Sequence, residues 1–283
     1  MDCLQSLSQQ TYPNLRILVV DNASTDGSSE KITERFPQVE QICNTSNLGF
    51  AKGFNTGLRY ALNHEMNFVF ILNNDAIVAP DCLTNLMEHV DGDPGILGPI
   101  IFYANHPQKI WSAGGNIRRL ILEKSEELDD QLDPGNLPEV LERDFITGCG
   151  MLFSRKSLEM VGLFDEDFSM YYEDSDLCWR TRHAGRRILV VPSAKMWHKV
   201  ATSSGGSDAP NERYWMARSS IRFFRKHARG GQIPAVLFWR TFSALRTTFR
   251  LARQQKWSAL HSYWRGLKDG ILDALGEVKQ SPA

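Results

Sequence analysis

Apolar positions in this chain come in short runs that stop on polar, often acidic, residues. Leu15-Arg16-Ile17-Leu18-Val19-Val20 predicts a buried strand that ends at Asp21. Residues 22–27 carry turn chemistry, and Ser28-Ser29-Glu30 opens a helix over 29–36. Phe50, Phe54, Leu58 and Leu62 recur at every fourth position and predict a helix over 48–63. Phe68-Val69-Phe70-Ile71-Leu72 is a second buried strand, closed by Asn73-Asn74-Asp75. Pro80-Asp81 opens a helix over 81–90, and Ile96-Leu97-Gly98-Pro99-Ile100-Ile101 is a third strand. Residues 123–143 are acidic, carry Pro134-Gly135 and Pro138, and predict a surface loop. A short strand follows at Met151-Leu152-Phe153, then helices over 157–161 and 175–184, then a late strand, Arg187-Ile188-Leu189-Val190-Val191. The Ser/Gly-rich stretch 201–210 predicts a mobile loop, and helical periodicity dominates from Arg213 onward.

Strands alternating with helices predict an α/β fold with a mostly parallel, Rossmann-like sheet and helices on both faces. Ligands of such folds sit at the carboxyl ends of strands, which places Asp21 and Asp75 at one rim. The expected organisation is a catalytic domain over 1–210 and a basic, amphipathic helical region over 211–283. The charge distribution supports that division. Residues 1–210 hold 18 Lys+Arg against 29 Asp+Glu, whereas residues 211–268 hold 13 Lys+Arg against a single acid, Glu212. An acidic body with a basic tail points to an anionic partner for the tail.

A hydrophobic content of 42% and 10% aromatics support a packed core. Five cysteines, an odd number with no Cys-x-x-Cys pair, point to a reducing compartment and no zinc knuckle. The first residues lack a basic segment followed by an apolar one, and no apolar run approaches the ~20 residues of a membrane-spanning helix. The expected location is cytoplasmic, with peripheral attachment to the inner face of the plasma membrane through the basic region. Within 233–257, Phe238, Phe242, Leu245, Phe249 and Ala252 fall on one helical stripe, accompanied by Arg240, Arg246, Arg250 and Arg253. Two readings stand: a helix packed on the catalytic body by this stripe, or an interfacial helix on an anionic leaflet with arginines at the lipid phosphates. No nucleic-acid-binding motif accompanies the charges.

Three acidic sites can carry chemistry. Asp21 and Asp26 flank a polar turn, where a carboxylate can accept hydrogen bonds from a base or ribose, or can merely close an Asx turn. Asp75 is the one charge in Asn73-Asn74-Asp75, enough for Mg²⁺ or Mn²⁺ when diphosphate oxygens and water complete the shell, or else a polar strand end. Glu173-Asp174, with Asp176, lies at a helix start, where acids favour the dipole, but beside Tyr171 and Tyr172 a carboxylate can also serve as a base. Asn47-Leu48-Gly49 with Gly53 supplies backbone N–H groups at a helix start, which suits phosphate. His198 after Met196-Trp197 reads alone as a core or surface histidine. No Gly-x-Ser-x-Gly elbow, P-loop, His-Glu-x-x-His or Gly-x-Gly-x-x-Gly occurs, which disfavours the enzyme classes built on them.

In joint order these sites form a pattern. Gln9, Thr11-Tyr12-Pro13-Asn14, residues 19–28, Asn47-Leu48-Gly49-Phe50-Ala51, residues 72–75, Gly148-Cys149-Gly150-Met151, Phe164-Asp165-Glu166, residues 172–176 and Trp197-His198 resemble the family 2 inverting glycosyltransferases. The likeness is greatest to bacterial rhamnosyltransferase-like members that build cell-surface polysaccharides, and it covers about residues 4–225. It implies a GT-A fold, a nucleotide-diphosphate sugar donor such as dTDP-rhamnose, a glycan or polyprenyl-linked acceptor, and Mg²⁺ or Mn²⁺. By position, it makes Asp21 the nucleotide-contacting acid, with Asn22, Asp26, Asn47, Gly49, Asn73 and Asn74 around the donor. Asp75 becomes the metal-binding member of the family's DXD-type motif and His198 the residue that approaches metal or diphosphate. Asp174 becomes the catalytic base, with Glu173 orienting the acceptor.

The chain departs from the family pattern at its beginning. Members normally open with a strand of the type Val-Ser-Val-Ile-Ile-Val-Thr-Tyr-Asn, whereas here Met1-Asp2-Cys3-Leu4 falls inside the expected first helix. The expectation is a natural start upstream of Met1. The competing readings are a catalytically crippled sugar- or membrane-binding relative and a sugar nucleotidyltransferase. The latter calls for a Gly-rich, basic triphosphate loop that is not seen.

Overall fold

A computed structural model describes residues 1–199 and 208–276, so most of the Ser/Gly-rich stretch expected as a loop over 201–210 lies outside the described residues. The chain divides into two units. The first comprises Met1–Asn116, Glu126–Glu166 and Glu173 to the end of the last strand. The second comprises Ile117–Ser125, Asp167–Tyr172 and the C-terminal helices.

The elements run α1 (Asp2–Leu7), β1 (Leu18–Asp21), α2 (Ser28–Arg35), β2 (Glu40–Cys43), α3 (Gly49–Asn63), β3 (Phe68–Leu72), β4 (Ala76–Val78), α4 (Cys82–Met87), β5 (Ile96–Tyr103) and β6 (His106–Ser112). They continue with β7 (Gly115–Arg118), β8 (Glu123–Glu126), β9 (Leu141–Arg143), β10 (Gly150–Ser154), α5 (Arg155–Val161), α6 (Glu173–His183), β11 (Ile188–His198), α7 (Pro210–His227), α8 (Gln232–Arg253) and α9 (Trp257–Leu275). Within the acidic stretch expected as a loop, β8 pairs with β7 and β9 pairs with β11. Neither strand has an apolar run of its own, because the partner strand supplies the ladder. The short strand β2 escaped the pattern for the same reason, and β4, though apolar, is only three residues long.

The main sheet is mixed. Its order is β3-β10-β5-β11-β4, with β6 on β5 and β9 on β11. β5 and β11, the two long apolar runs, lie parallel at its centre. β10 runs antiparallel to both β3 and β5, so β3, β5 and β11 share one direction. β1 and β2 form a separate parallel pair. Gly57 lets α3 approach β1, since a Cβ there would lie 3.2 Å from Val20 Cγ2. Leu86, Leu97, Ile101, Leu152, Val191 and Met196 are buried in one cluster, and each such side chain stabilises the fold by about 1.5–3 kcal/mol.

One irregularity sets the position of the site. The β5–β11 register passes from Val191↔Pro99 to Lys195↔Ile100, leaving Pro192, Ser193 and Ala194 out of the ladder. Proline has no N–H to give, so a bulge is where it belongs in an inner strand. Beyond the bulge, β11 pairs antiparallel with β4, placing His198 opposite Ala76.

In the second unit α7 and α9 pack closely through Gly266 and Gly270; a Cβ on Gly266 would overlap the Tyr214 carbonyl oxygen. Ala217, Leu251, Ala259, Tyr263 and Leu267 form the core. Asp208 receives Arg250 (2.6 and 2.9 Å), Arg213 (2.8 Å) and Lys256 (2.9 Å). α8 turns Val236 and Leu251 inward and leaves Phe238, Phe242, Leu245 and Phe249 exposed. These four side chains are therefore not taken up by the core of the second unit. The arginines divide as well, since Arg240 bonds to Ser220 Oγ (3.0 Å) and Arg250 to Asp208. In the same unit Tyr171 and Tyr172 are consecutive left-handed residues (φ 64° and 68°), a strained state for bulky side chains. Tyr172 is held against Phe223 and Phe224, and the Met170 carbonyl accepts from Ser219 Oγ at 2.7 Å. No helix among the described residues is long and apolar enough to cross a membrane.

Candidate functional site

The candidate nucleotide-binding, metal-binding and catalytic residues all lie in the first unit. At the end of β1, Asp21 accepts from the Ser24 N–H (3.1 Å), so the Asx turn is real, and the carboxylate stays partly exposed. Asn22 is an internal clamp. Its Nδ2 donates to the Gly49 carbonyl (3.0 Å) and its Oδ1 accepts from Asn44 Nδ2 (2.7 Å). Gly53 makes room for it, because a Cβ there would lie 2.6 Å from Asn22 Nδ2. Asp26 accepts from the Ser28 N–H (3.0 Å) and from Ser28 Oγ, which ties it to the start of α2 and holds its carboxyl below the usual range. Asn47 Oδ1 accepts from the Gly49 N–H (2.9 Å), and Gly49, at φ 77°, opens α3 in a conformation that favours glycine. Asn22, Asn47 and Gly49 thus shape the junction between β1 and α3.

The turn at 73–76 carries the second group. Asn73 N–H donates to the Cys149 carbonyl (3.1 Å), and the Asn73 carbonyl accepts from Ala76 N–H (3.2 Å) and Cys3 Sγ (3.6 Å). Asn74 is exposed. Burial pushes the Cys3 thiol up to about 11 and the Cys149 thiol well above its usual value, so both remain protonated packing groups. His198 Nε2 lies 3.0 Å from Asp75 Oδ1, and the Lys199 N–H donates to the Asp75 carbonyl at 3.0 Å. Trp111 packs on the imidazole with ring centres 4.4 Å apart. His198 Nδ1 is buried without a hydrogen-bond partner.

A carboxylate and an imidazole at one strand end suit Mn²⁺ or Mg²⁺ if other oxygens complete the shell. Asp75 Oδ2 takes no hydrogen bond among the described residues, so an oxygen donor is available. No cluster of three or more His, Cys, Asp or Glu occurs among the described residues.

At the start of α6 the three acids separate by environment. Asp176 is 0% exposed and paired with Arg180 (2.8 Å), whose other nitrogens donate to the Val161 and Leu163 carbonyls. It is structural. Glu173 is buried at 5% exposure. Asp174 is half-buried, bears no ion pair among the described residues, and is fixed by the Ser175 N–H (2.6 Å) on Oδ1 and the Gly148 N–H (3.3 Å) on Oδ2. Of the three, it is the most exposed.

Gly148 and Cys149 are the residues whose roles the sequence did not show, although their motif stood out. Gly148 bonds to Asp174, and a Cβ on it would lie 3.1 Å from Phe50 Cζ in the first turn of α3. Cys149 bonds to Asn73. Two adjacent residues therefore tie the α6 carboxylate, the α3 start and the Asp75 turn together.

A strand-end carboxylate beside an imidazole, a helix start at a strand end and a second carboxylate thus lie on an α/β fold of the GT-A type. The model for "Glycosyl transferase family 2" matches residues 2–162, and the chain belongs to that family. It is a rhamnosyltransferase-like glycosyltransferase. It is 24% identical over 252 residues to a dTDP-rhamnosyl transferase, RfbF, of Shigella flexneri, covering 86% of this chain and 81% of that one. It is 27% identical over 286 residues to the N-acetylglucosaminyl-diphospho-decaprenol L-rhamnosyltransferase of Mycobacterium tuberculosis (89% and 91%). Among solved structures, the mannosyltransferase PcManGT of Pyrobaculum calidifontis in complex with GDP-Man and Mn²⁺ superposes with a TM-score of 0.54 at 20% identity (97% and 71%). GalNAc-T7 with UDP, GalNAc and Mn²⁺ gives 0.57 at 15% identity, this chain spanning 44% of that one. Both share the GT-A fold.

Proposed function

We propose that this chain transfers a sugar with inversion from a nucleotide-diphosphate donor to a hydroxyl of a glycan or polyprenyl-linked acceptor in cell-surface polysaccharide synthesis. dTDP-rhamnose is the donor to which the named relatives point. Asp21, with the junction shaped by Asn22, Asn47 and Gly49, receives the nucleotide, and Asn73 and Asn74 border the diphosphate. Asp75 and His198 would hold Mg²⁺ or Mn²⁺, which supplies charge neutralisation for the leaving diphosphate. Asp174 takes the acceptor hydroxyl proton as that oxygen bonds to the anomeric carbon. The bond from carbon to diphosphate oxygen breaks, its electron pair leaving on the diphosphate. Glu173 supports the acceptor side from its buried position. The reading places the enzyme in the cytoplasm, peripheral on the inner face of the plasma membrane, where a polyprenyl-linked acceptor is presented.

The observation that carries this reading is the tie through Gly148 and Cys149, which bonds the unpaired Asp174 and the Asp75 turn to one rigid stretch of backbone. A general base supplies about 10²–10⁴-fold of rate, and the remainder must come from positioning and charge stabilisation. The test is turnover of dTDP-rhamnose with Mn²⁺ and a polyprenyl-diphosphate-linked sugar acceptor. Release of dTDP that depends on both acceptor and metal is expected. Its absence with every nucleotide sugar tried would overturn the proposal.

A further inference from the structure

We infer that the outer faces of α8 and α9 form one docking surface for an anionic lipid membrane. Phe238, Phe242, Leu245, Phe249, Trp257 and Trp264 enter the boundary between headgroups and acyl chains, and Arg246 and Arg253 meet lipid phosphates. The inference extends the peripheral location proposed above. It rests on exposure and charge alone, so vesicle binding and sugar transfer can fail independently.

Large apolar side chains on α8 are exposed where a soluble surface would carry polar ones: Phe238 is 76% and Phe249 69% exposed. They share one stripe at spacings of four, three and four. On α9, Trp257, Trp264 and Ile271 recur at every seventh residue, with Leu275 one turn further, and all are exposed. The Trp264 Nε1–H donates to Thr248 Oγ1 at 3.1 Å, so the α9 stripe meets α8 one residue from Phe249. The two stripes are therefore neighbours, and together they form an apolar face of a kind that marks an interaction site.

Charge identifies the occupant. α8 contains no Asp or Glu. The acids of α9 are turned to α7, where Asp269 accepts from Tyr214 Oη (2.8 Å) and Asp273 from Arg218 (2.7 Å). Arg246 and Arg253 are exposed, make no ion pair among the described residues, and flank the α8 stripe on one side, while exposed Lys268 lies one turn from Trp264. The face thus offers cations, indole rings and aliphatic surface with no anion among the described residues. A second copy of this chain would set cation against cation. A lipid leaflet supplies both the apolar interior and the phosphates, and basic residues near it add to the attraction.

Truncation would remove the α9 partner of α7, so substitutions at exposed positions are the cleaner test. The full chain is cosedimented with phosphatidylcholine vesicles and with vesicles containing about one-third phosphatidylglycerol, at low and high salt. Binding to the anionic vesicles at low salt is expected, about tenfold or more tighter than to neutral ones, with a blue shift of tryptophan emission. Phe242→Ser with Phe249→Ser should weaken binding about tenfold or more, and Arg246→Glu with Arg253→Glu should abolish the anionic preference, each with an unchanged melting temperature. No binding at low salt, or binding indifferent to both pairs of substitutions, would overturn the inference. So would a dimer that the phenylalanine pair dissolves while vesicles go unbound. Mn²⁺-dependent binding of dTDP, measured on the same variants, should be unaffected; its absence in the parent chain would count against the donor site alone.

Discussion

His198 Nε2 and Asp75 Oδ1 lie 3.0 Å apart across 123 positions of sequence. The pairing follows from register. The bulge at Pro192 to Ala194 advances β11 so that His198 stands opposite Ala76, the residue after Asp75. If this pair holds the cation, Asp75→Ala and His198→Ala should each weaken Mn²⁺-dependent binding of dTDP by about tenfold or more, with metal-free binding little changed. Calorimetry with and without Mn²⁺ checks this, and equal metal dependence in parent and variants would remove the pair from the site.

Gly148 is where the base meets the α3 start. A Cβ there would lie 3.1 Å from Phe50 Cζ, so the ring or the Gly148 backbone must shift by a few tenths of an ångström, whereas 3.6 Å to Asp174 Cβ is ordinary contact. Gly148→Ala should lower kcat about tenfold while leaving the donor KM within a few-fold, because the N–H that holds Asp174 Oδ2 moves with the shifted backbone. A raised donor KM with unchanged kcat would place Gly148 on the donor side instead.

How much of this was legible before the fold was known depends on where each signal lives. β3 and β5 are uniform apolar runs, and Asp75 could be placed at a strand end from them alone. Asp174 stood out only as one of three acids, because burial and the Arg180 pairing that set Asp176 apart are tertiary facts. Asn22 and Asp26 looked like ligand contacts, yet much of their bonding capacity serves the local turns. Gly148 carries no chemistry of its own, and its role appears only when Phe50, 98 residues earlier, packs over it. In the sequence Arg240 and Arg250 are indistinguishable from Arg246 and Arg253, and only the fold brings Ser220 and Asp208 to face them.

Helix packing in the second unit is the most stringent steric test. Gly266→Ala drives a methyl group into the Tyr214 carbonyl and should destabilise the chain by about 2–3 kcal/mol. Thermal melts of parent and variant decide it, and an unchanged melting temperature would mean that α7 and α9 are less closely apposed.

Asp129 provides a pH signature. Burial, then the charge of Glu126, pushes its carboxyl up to about 8, and its Oδ1 is buried without a hydrogen-bond partner. In the unfolded chain the group titrates near about 3.9. The stability from its protonated form is therefore full below about pH 4 and lost as pH rises through about 8. Asp129→Asn stays neutral throughout, so its melting temperature should fall less than the parent's between pH 5 and pH 8. Parallel pH profiles would show that Asp129 is solvated.

The assignment of Asp174 as base admits the most direct measurement. Asp174→Asn keeps the size of the side chain but cannot take a proton, so single-turnover transfer from dTDP-rhamnose should fall by about two to four orders of magnitude. Mn²⁺-dependent affinity for dTDP should remain within a few-fold of the parent. Transfer at near-parental rate by Asp174→Asn, with donor binding intact, would contradict the assignment and shift the search for the base to Glu173.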